Sequence, residues 1–137
     1  MSKRNAKPES LPDLSPLELE VMGIIWSLGE CTSAEVIDAY NRKRPLANTT
    51  IRTVISNIRR KGYIETVSSV EPRIHFRPLV SKRAVARRTV RQLLSNMFGG
   101  SPRQAIQFLL EEESMDEREL DEIRRLIESQ SGDGDAK

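Results

Sequence analysis

The stretch that decides the fold runs from Asn48 to Gly62 and reads Asn48-Thr-Thr-Ile-Arg-Thr-Val-Ile-Ser-Asn-Ile-Arg-Arg-Lys-Gly62. Its apolar residues recur at i, i+3, i+4 and i+7, the spacing of one buried helical face. They are Ile51, Val54, Ile55 and Ile58. Asn48 is expected to cap the start of this helix, and Gly62 stands where a left-handed residue would close it. The stretch therefore predicts an amphipathic helix that ends at Lys61.

The opposite face of this predicted helix is polar and carries no carboxylate. Its hydroxyl, amide and guanidinium groups can bond to base edges or phosphate oxygens of nucleic acid. The expected contact residues are Thr49, Thr50, Arg52, Thr53, Ser56, Asn57, Arg60 and Lys61. An ordinary surface helix with a solvated basic face is the alternative interpretation, and the neighbouring segments decide between the two.

Two capped helices precede the Asn48 stretch. Ser15-Pro16-Leu17-Glu18 has the form of a capping box with proline at the first helical position, and Thr32 with Glu35 repeats the capping pattern. Two short helices, a compact turn and a polar-faced third helix form a helix-turn-helix pattern. This arrangement favours DNA over solvent as the partner of the polar face.

A hairpin is predicted directly after Gly62. The segments 63–67 and 73–77 alternate apolar and polar residues, and 68–72 forms the loop between them. A hairpin in this position is the wing of a winged helix, and Arg73 at its tip is expected to reach the DNA backbone or minor groove.

Three further helices are predicted after Ser81, each with a narrow apolar stripe. Helices of this kind bury little alone, so packing against a second copy is expected, which also suits a two-fold DNA site. The alternative is that they fold back on their own subunit. The residues expected at the dimer contact are Leu93, Leu94, Met97, Leu109, Leu120, Ile123, Leu126 and Ile127.

The charge distribution agrees with this organisation. Residues 1–110 hold 18 basic and 9 acidic residues, a net of +9, whereas residues 111–137 hold 4 and 11, a net of −7. A basic body with an acidic end suggests a surface that binds a polyanion. We expect a disordered arm at 1–13, a winged-helix DNA-binding domain at 14–80, a helical dimerisation domain at 81–129 and a disordered tail at 130–137.

Several classes of function find little support in the sequence. No apolar run approaches 18 residues, so a cytoplasmic protein without membrane insertion is expected. Cys31 and His75 are the single cysteine and histidine, so neither a disulfide nor a Cys/His metal site is expected. No phosphate-binding glycine loop or catalytic set is evident, so we expect no cofactor and no enzymatic activity.

Three short motifs resemble one family of regulators. Leu19-Glu-Val-Met-Gly-Ile-Ile-Trp26, Thr50-Ile-Arg-Thr-Val54 and Arg60-Lys-Gly-Tyr-Ile64 are similar to the penicillinase and methicillin-resistance repressors, the BlaI/MecI/CopY family. The resemblance extends from about Leu14 to Ile127, and it implies a dimeric winged-helix repressor of a two-fold operator. It also implies that Thr50, Arg52 and Thr53 lie on the DNA-contacting helix.

The resemblance further implies a way to relieve repression. In the β-lactam branch, a membrane sensor metalloprotease prompts a cut in the dimerisation domain. The corresponding bond here is Gln107–Phe108, where the family commonly has Asn–Phe. Copper-sensing members carry Cys-x-Cys motifs near the C-terminus, and this chain has no cysteine after Cys31.

The sequence thus predicts a mainly α protein with a small β-hairpin, in which a winged helix-turn-helix precedes a helical dimerisation domain. The expected function is that of a dimeric DNA-binding repressor. A winged helix that docks proteins without specific DNA binding is the alternative. A docking helix would expose an apolar or aromatic anchor, and the polar face between Thr49 and Arg60 offers none.

Overall fold

The computed structural model describes residues 7–67 and 74–135, with side chains described up to residue 130. The predicted hairpin loop at 68–72 and the tip residue Arg73 lie outside these ranges. Helices and strands follow in chain order: a 3-10 helix Pro8–Ser10, α1 Pro16–Leu28, β1 Cys31–Thr32, α2 Ser33–Lys43, α3 Asn48–Arg60, β2 Ile64–Val67, β3 His75–Pro78, α4 Lys82–Met97, α5 Pro102–Glu112 and α6 Glu117–Asp135.

The first helices and the strands form a winged helix-turn-helix, which confirms the predicted fold class. The described strands make an antiparallel sheet in the order β1-β3-β2. In β3, Phe76 lies opposite Thr66 of β2 on one side and Cys31 of β1 on the other. The predicted hairpin is therefore present, and β1 is an additional strand that the sequence did not predict.

Local sequence signals account for most helix ends. Ser15 and Thr32 each complete a capping box, with reciprocal bonds to Glu18 and Glu35 respectively. The predicted cap at Asn48 is wrong, because Asn48 is already helical and Ala47 occupies the cap position without a side-chain bond. Among the described residues, no side chain caps the first turn of α3.

The end of α3 is closed as predicted by Gly62, which has a positive φ of 96°. The N–H of Gly62 donates to the carbonyl of Arg59 at 3.0 Å, and the N–H of Tyr63 donates to that of Ile58 at 3.2 Å. These two bonds define a Schellman motif, which needs a left-handed residue at this point.

Both predicted disordered ends need correction. Residues 7–13 form the short 3-10 helix and then hydrogen-bond to later elements, while Leu11 packs against the core. The backbone of α6 continues as helix through Asp135, so the segment expected to be a disordered tail from residue 130 begins as helix. Residues 1–6, 136 and 137 lie outside the described ranges.

The core of the protein lies among α1, α2, α3 and the sheet. The Ile51, Val54, Ile55 and Ile58 stripe is buried as predicted, with at most 7% of any of these residues exposed. Phe76 and Tyr63 are also buried. Trp26 is half-buried against this core, and its indole N–H donates to the carbonyl of Val80 at 2.9 Å. This burial fixes which face of α3 points outward.

The chain forms two compact units, divided between Val90 and Arg91, so the dividing point lies within α4. The first unit holds the winged helix and the first part of α4, and the second holds the rest of α4 with α5 and α6. The division into a DNA-binding domain at 14–80 and a dimerisation domain at 81–129 stays a prediction.

Candidate nucleic-acid interface

The outward side of α3 is the candidate interface, and we call its seven predicted contact residues the polar face. Thr49, Arg52, Thr53, Ser56 and Arg60 are exposed, whereas Thr50 and Asn57 are half-buried. The helix brings all seven to one surface because the four buried aliphatic residues occupy the other side. No acidic residue occurs between Arg42 and Lys61, so no carboxylate from this stretch faces the surface.

Hydrogen bonds within the polar face involve Thr53 and Arg60 but leave the guanidinium of Arg52 available. The Thr53 hydroxyl donates to the carbonyl of Thr49 at 2.9 Å, and Arg60 donates to Asn57 Oδ1 at 2.7 Å. In the part of the chain that the structure describes, Arg52 makes neither an ion pair nor a hydrogen bond. An exposed, unpaired guanidinium can bind a base edge or a phosphate with two parallel bonds.

Lys61 was predicted to contact DNA, but the structure places its charge against the protein. Its Nζ lies 2.7 Å from Glu18 Oε1 and donates to the carbonyl of Asp13 at 2.8 Å. Only 23% of the Lys61 side chain and 9% of the Glu18 side chain are exposed. Lys61 is therefore not grouped with the polar face.

The same pair perturbs Glu18. Burial by itself would raise the pKa of the Glu18 carboxyl, but the Lys61 hydrogen bond, the Ser15 N–H and the Lys61 charge together lower it below its usual value. Glu18 is thus held ionised in the first turn of α1, where it binds Lys61, the residue that follows α3.

Other basic residues of the predicted cluster are also engaged internally. Arg42 pairs with Asp38 at 2.9 Å across one helical turn. Arg44 pairs with Glu20, donates to Tyr40 Oη at 3.1 Å and lies 5.6 Å from the centre of that ring. Because Tyr40 Oη itself bonds to Glu20 at 3.1 Å, these three groups fix the turn before α3 against α1.

Four of the seven basic residues between Arg42 and Lys61 have no carboxylate partner among the described residues: Lys43, Arg52, Arg59 and Arg60. The guanidinium carbon of Arg59 lies 6.0 Å from the centre of the buried Phe76 ring. This cation–π contact places the Arg59 guanidinium against Phe76 of the sheet. The unpaired positive charge is therefore smaller than the sequence count indicates.

The described part of the wing carries one arginine on its strands, and that arginine is paired. Arg77 of β3 pairs with Glu65 of β2 at 2.8 Å, so its charge is compensated. Arg73, the residue expected at the wing tip, lies outside the described ranges, and its role stays a prediction.

Cys31 and His75 lie on neighbouring strands of the sheet. In the antiparallel register of β1 and β3, Cys31 lies opposite Phe76 and Thr32 lies opposite His75. Because successive side chains of a strand point to opposite faces of the sheet, Cys31 and His75 lie on opposite faces. Burial, with Glu35 and Glu30 nearby, raises the pKa of the Cys31 thiol to about 11, so it is protonated at neutral pH. Among residues 7–67 and 74–130, no three His, Cys, Asp or Glu side chains are grouped to hold a metal.

The second unit presents apolar side chains rather than charges. Of the eight predicted dimer-contact residues, Leu93, Met97, Leu109, Leu126 and Ile127 are exposed, and Leu94, Leu120 and Ile123 are half-buried. A groove of about 500 Å³ separates α5 from α6 and is lined mainly by aliphatic residues of the two helices. The proposed cleavage residues, Gln107 and Phe108, lie on α5, and both are exposed.

Two interactions that position the interface were not predicted: the Tyr40–Glu20–Arg44 group and the internal pairing of Lys61. The bonds that Tyr40 and Arg44 make to Glu20, and the pair of Lys61 with Glu18, join residues 20 to 43 positions apart and leave no periodic signal in the sequence. In the described ranges, no helix is long and apolar enough to cross a membrane.

Comparison with known proteins gives one family. The sequence matches the family described as Penicillinase repressor over residues 14–129. The methicillin resistance regulatory protein MecI of Mammaliicoccus sciuri is 24% identical over 115 residues, covering 84% of this chain and 93% of that protein. The penicillinase repressor of Staphylococcus aureus is 22% identical over 115 residues, covering 84% and 90%.

Two further similarities were found. An uncharacterized 16.5 kDa protein of Latilactobacillus sakei is 24% identical over 119 residues, covering 87% of this chain and 81% of that protein. Among solved structures, Streptococcus pneumoniae FabT in complex with DNA superposes with a TM-score of 0.46 and 21% identity, covering 91% of this chain and 79% of that chain.

Proposed function

The chain belongs to the penicillinase repressor family, and we propose that it represses transcription as a homodimer that binds a two-fold DNA operator. The observation that carries this proposal is the polar face of α3, where exposed hydroxyl groups surround the unpaired Arg52 and no carboxylate intervenes. Such a surface offers hydrogen bonds to bases and phosphates, and it lacks the apolar anchor that a protein-docking helix would expose.

Electrostatics supports DNA as the ligand and sets a quantitative expectation. Each copy offers four basic residues without carboxylate partners near α3, so a dimer could contact on the order of eight phosphates. Log K would then fall with log salt with a slope of about −7. The paired residues Arg42, Arg44 and Lys61 are excluded from this count because their charges are compensated within the protein.

The exposed apolar residues of the second unit support a homodimer. Leu126 and Met97 are 65% and 68% exposed, and Leu109 is 49% exposed beside the groove between α5 and α6. Large contiguous apolar patches on the surface of soluble proteins mark sites of interaction. A second copy is the natural occupant because a two-fold operator requires a two-fold protein.

Relief of repression by proteolysis is the finer part of this proposal. It is supported by the resemblance to the β-lactam-responsive repressors and by the position of Gln107–Phe108 on an exposed helix beside the groove. A membrane sensor metalloprotease would then be the regulatory partner. Cleavage at this bond would separate α6 and the end of α5 from the winged helix.

DNA-binding selection from a random duplex pool, followed by footprinting on the promoter of the chain's own gene, tests the proposal. We expect enrichment of sequences with two inverted half-sites separated by one or two helical turns. A protein that enriches no sequence, yet retains a protein partner in a pull-down experiment, would instead be a docking module.

A further inference from the structure

Residues 7–13, which we call the strap, are held by three later residues of the first unit, Lys61, Tyr63 and Arg88. Tyr63 Oη donates to the carbonyl of Pro12 at 2.7 Å, and Lys61 Nζ donates to the carbonyl of Asp13 at 2.8 Å. Arg88 of α4 donates through Nη1 to the carbonyls of Pro8 and Leu11, the second at 3.0 Å. Four strap carbonyls thus accept bonds from residues at least 48 positions away.

Arg88 is the centre of this network. Besides the strap carbonyls, its Nη2 reaches Asp13 Oδ1 at 2.8 Å and Tyr63 Oη at 3.0 Å. Only 10% of its side chain is exposed, and its Nε is buried without a hydrogen-bond partner in the described part of the chain. Burying a guanidinium is costly, and apolar side chains of similar volume often stabilise a protein as well or better. The arrangement therefore suggests a role in orientation rather than in stability alone.

The strap and Arg88 both contact the end of α3. Tyr63, which Arg88 contacts, closes the Schellman motif through its bond to Ile58. Leu11 of the strap packs so closely that its Cδ2 would lie 3.1 Å from a Cβ added to Gly62. A shift of Arg88 or of the strap would therefore displace the last turn of α3, which carries Asn57 and Arg60 of the polar face.

We propose that Arg88 is a positioning residue for sequence-specific DNA binding, acting through Tyr63 and the strap to set the position of the C-terminal end of α3. This role rests on the proposed DNA-binding function. Arg88 itself does not contact DNA, because its guanidinium is nearly buried and engaged by four protein acceptors. Base contacts tolerate displacements of only about 0.5 Å, whereas attraction to phosphates tolerates more.

The test compares Arg88→Met with Arg87→Met in the full-length protein. Both changes remove one positive charge from neighbouring positions of α4, but Arg87 is exposed and makes no bond to the strap. The probes are the duplex that the unchanged protein selects from a random pool and a scrambled duplex of equal length. Arg88→Met should lose about tenfold in affinity for the selected duplex and less than about twofold for the scrambled one, while Arg87→Met changes both little.

Tyr63→Phe provides a second, milder variant, because it removes only the hydroxyl that accepts from Arg88 and donates to the carbonyl of Pro12, and leaves the direct bonds from Arg88 to the strap in place. It should weaken binding to the selected duplex by about threefold, and its effect should not add to that of Arg88→Met, since both break the same network. Should Arg88→Met fail to fold by circular dichroism, Tyr63→Phe alone decides the question through the same pair of duplexes.

The possible outcomes separate the two proposals. If the unchanged protein selects no duplex, the proposed DNA-binding function is wrong before any variant is made. If it selects one, equal losses on both duplexes would show general destabilisation and overturn the positioning role. Additive effects of the two variants, or Arg88→Met behaving like Arg87→Met, would overturn it as well.

Discussion

The two units contain similar amphipathic helices but bury them differently. All sixteen buried apolar residues of the described chain lie between Val21 and Val85. Between residues 91 and 130, none of the described side chains is buried. The stripe of α3 is closed within its own unit, whereas Leu126 and Ile127 of α6 remain more than half exposed. An amphipathic pattern thus indicates that one face will be covered but does not identify the molecule that covers it.

This difference has an energetic meaning. Burying a large aliphatic side chain contributes about 1.5–3 kcal/mol. The first unit obtains this contribution within one chain, so its stability should not depend on protein concentration. Under the proposed dimer, the second unit obtains it from another copy, so its stability should rise with concentration.

Truncation after Gln107 should produce the largest effect, because it should abolish dimerisation while the first unit keeps its fold. It removes Leu109, Leu110 and all of α6, so we expect a monomer whose first unit remains folded. Without linkage between half-sites, operator affinity should fall by about 10²- to 10⁴-fold. Sedimentation measures the mass, circular dichroism the fold, and gel shift the affinity.

A chain that ends after Gln130 is the matched control, since it keeps the apolar residues of α6 and should remain dimeric. If the Gln107 truncation stays dimeric, or if it is a monomer with full operator affinity, then the second unit does not supply the dimer contact on which operator binding depends.

Leu126→Glu should weaken the dimer without shortening the chain. The change places a charge at an exposed apolar position beside the α5–α6 groove, and a two-fold dimer would carry it twice. Losing two buried leucines should cost about 3–6 kcal/mol of association free energy. Arg125→Glu introduces the same residue at the neighbouring position and serves as control.

Analytical ultracentrifugation over a range of concentrations measures both variants. An unchanged dissociation constant for Leu126→Glu would place the dimer contact elsewhere. The thermal stability of the first unit should be unaffected by either change.

Arg52→Ala should affect DNA binding while leaving both units intact. Because Arg52 is exposed and unpaired, its removal breaks no internal bond, and losing a bidentate base contact should cost about 1–3 kcal/mol per half-site. Arg42→Ala removes an exposed arginine that already pairs with Asp38, so it is the matched control. Titrations of selected and scrambled duplexes distinguish a base contact, which affects only the first, from a phosphate contact.

Glu18→Gln should have the smallest effect and should depend on pH. The pKa of Glu18 is lowered in the folded protein, so its contribution to stability is present above the unfolded value near 4.3 and is lost as pH falls through the folded value. Losing on the order of 1 kcal/mol at pH 7 would lower the melting temperature of the first unit by about 4–8 °C.

Thermal melts of both proteins at pH 7 and at about pH 3 provide the comparison. The difference in melting temperature should shrink at the lower pH. A constant difference would show that the charge of Glu18 does not stabilise the fold through Lys61.

The parts of the fold that were predicted correctly rest on signals close together in sequence. The capping boxes at Ser15 and Thr32 each join residues three apart, and the buried face of α3 repeats within one helix. Gly62 is similarly local, because a left-handed residue is required just beyond the last helical turn.

What could not be predicted depends on partners distant in the chain. The strand β1 has only two residues, too few to show alternation, and exists because β3 offers it an edge. Lys61 belongs to a basic run in sequence, yet its partner Glu18 is 43 positions earlier. The strap was expected to be disordered, and the residues that hold it, Tyr63 and Arg88, lie so far downstream that no local pattern indicates them.

The position of Gln107 in the middle of α5 bears on the timing of the proposed cleavage. Its side chain accepts from Arg103 at 3.1 Å and donates to Glu111 at 3.2 Å, one turn away in each direction. A protease binds extended backbone, so cleavage at Gln107–Phe108 requires local unfolding of α5. When opening and closing are fast, the cutting rate follows the population of the open form. Each of these pairs, at about 0.2–0.5 kcal/mol, could then change the lifetime of the repressor by up to about twofold, with no change to the scissile residues.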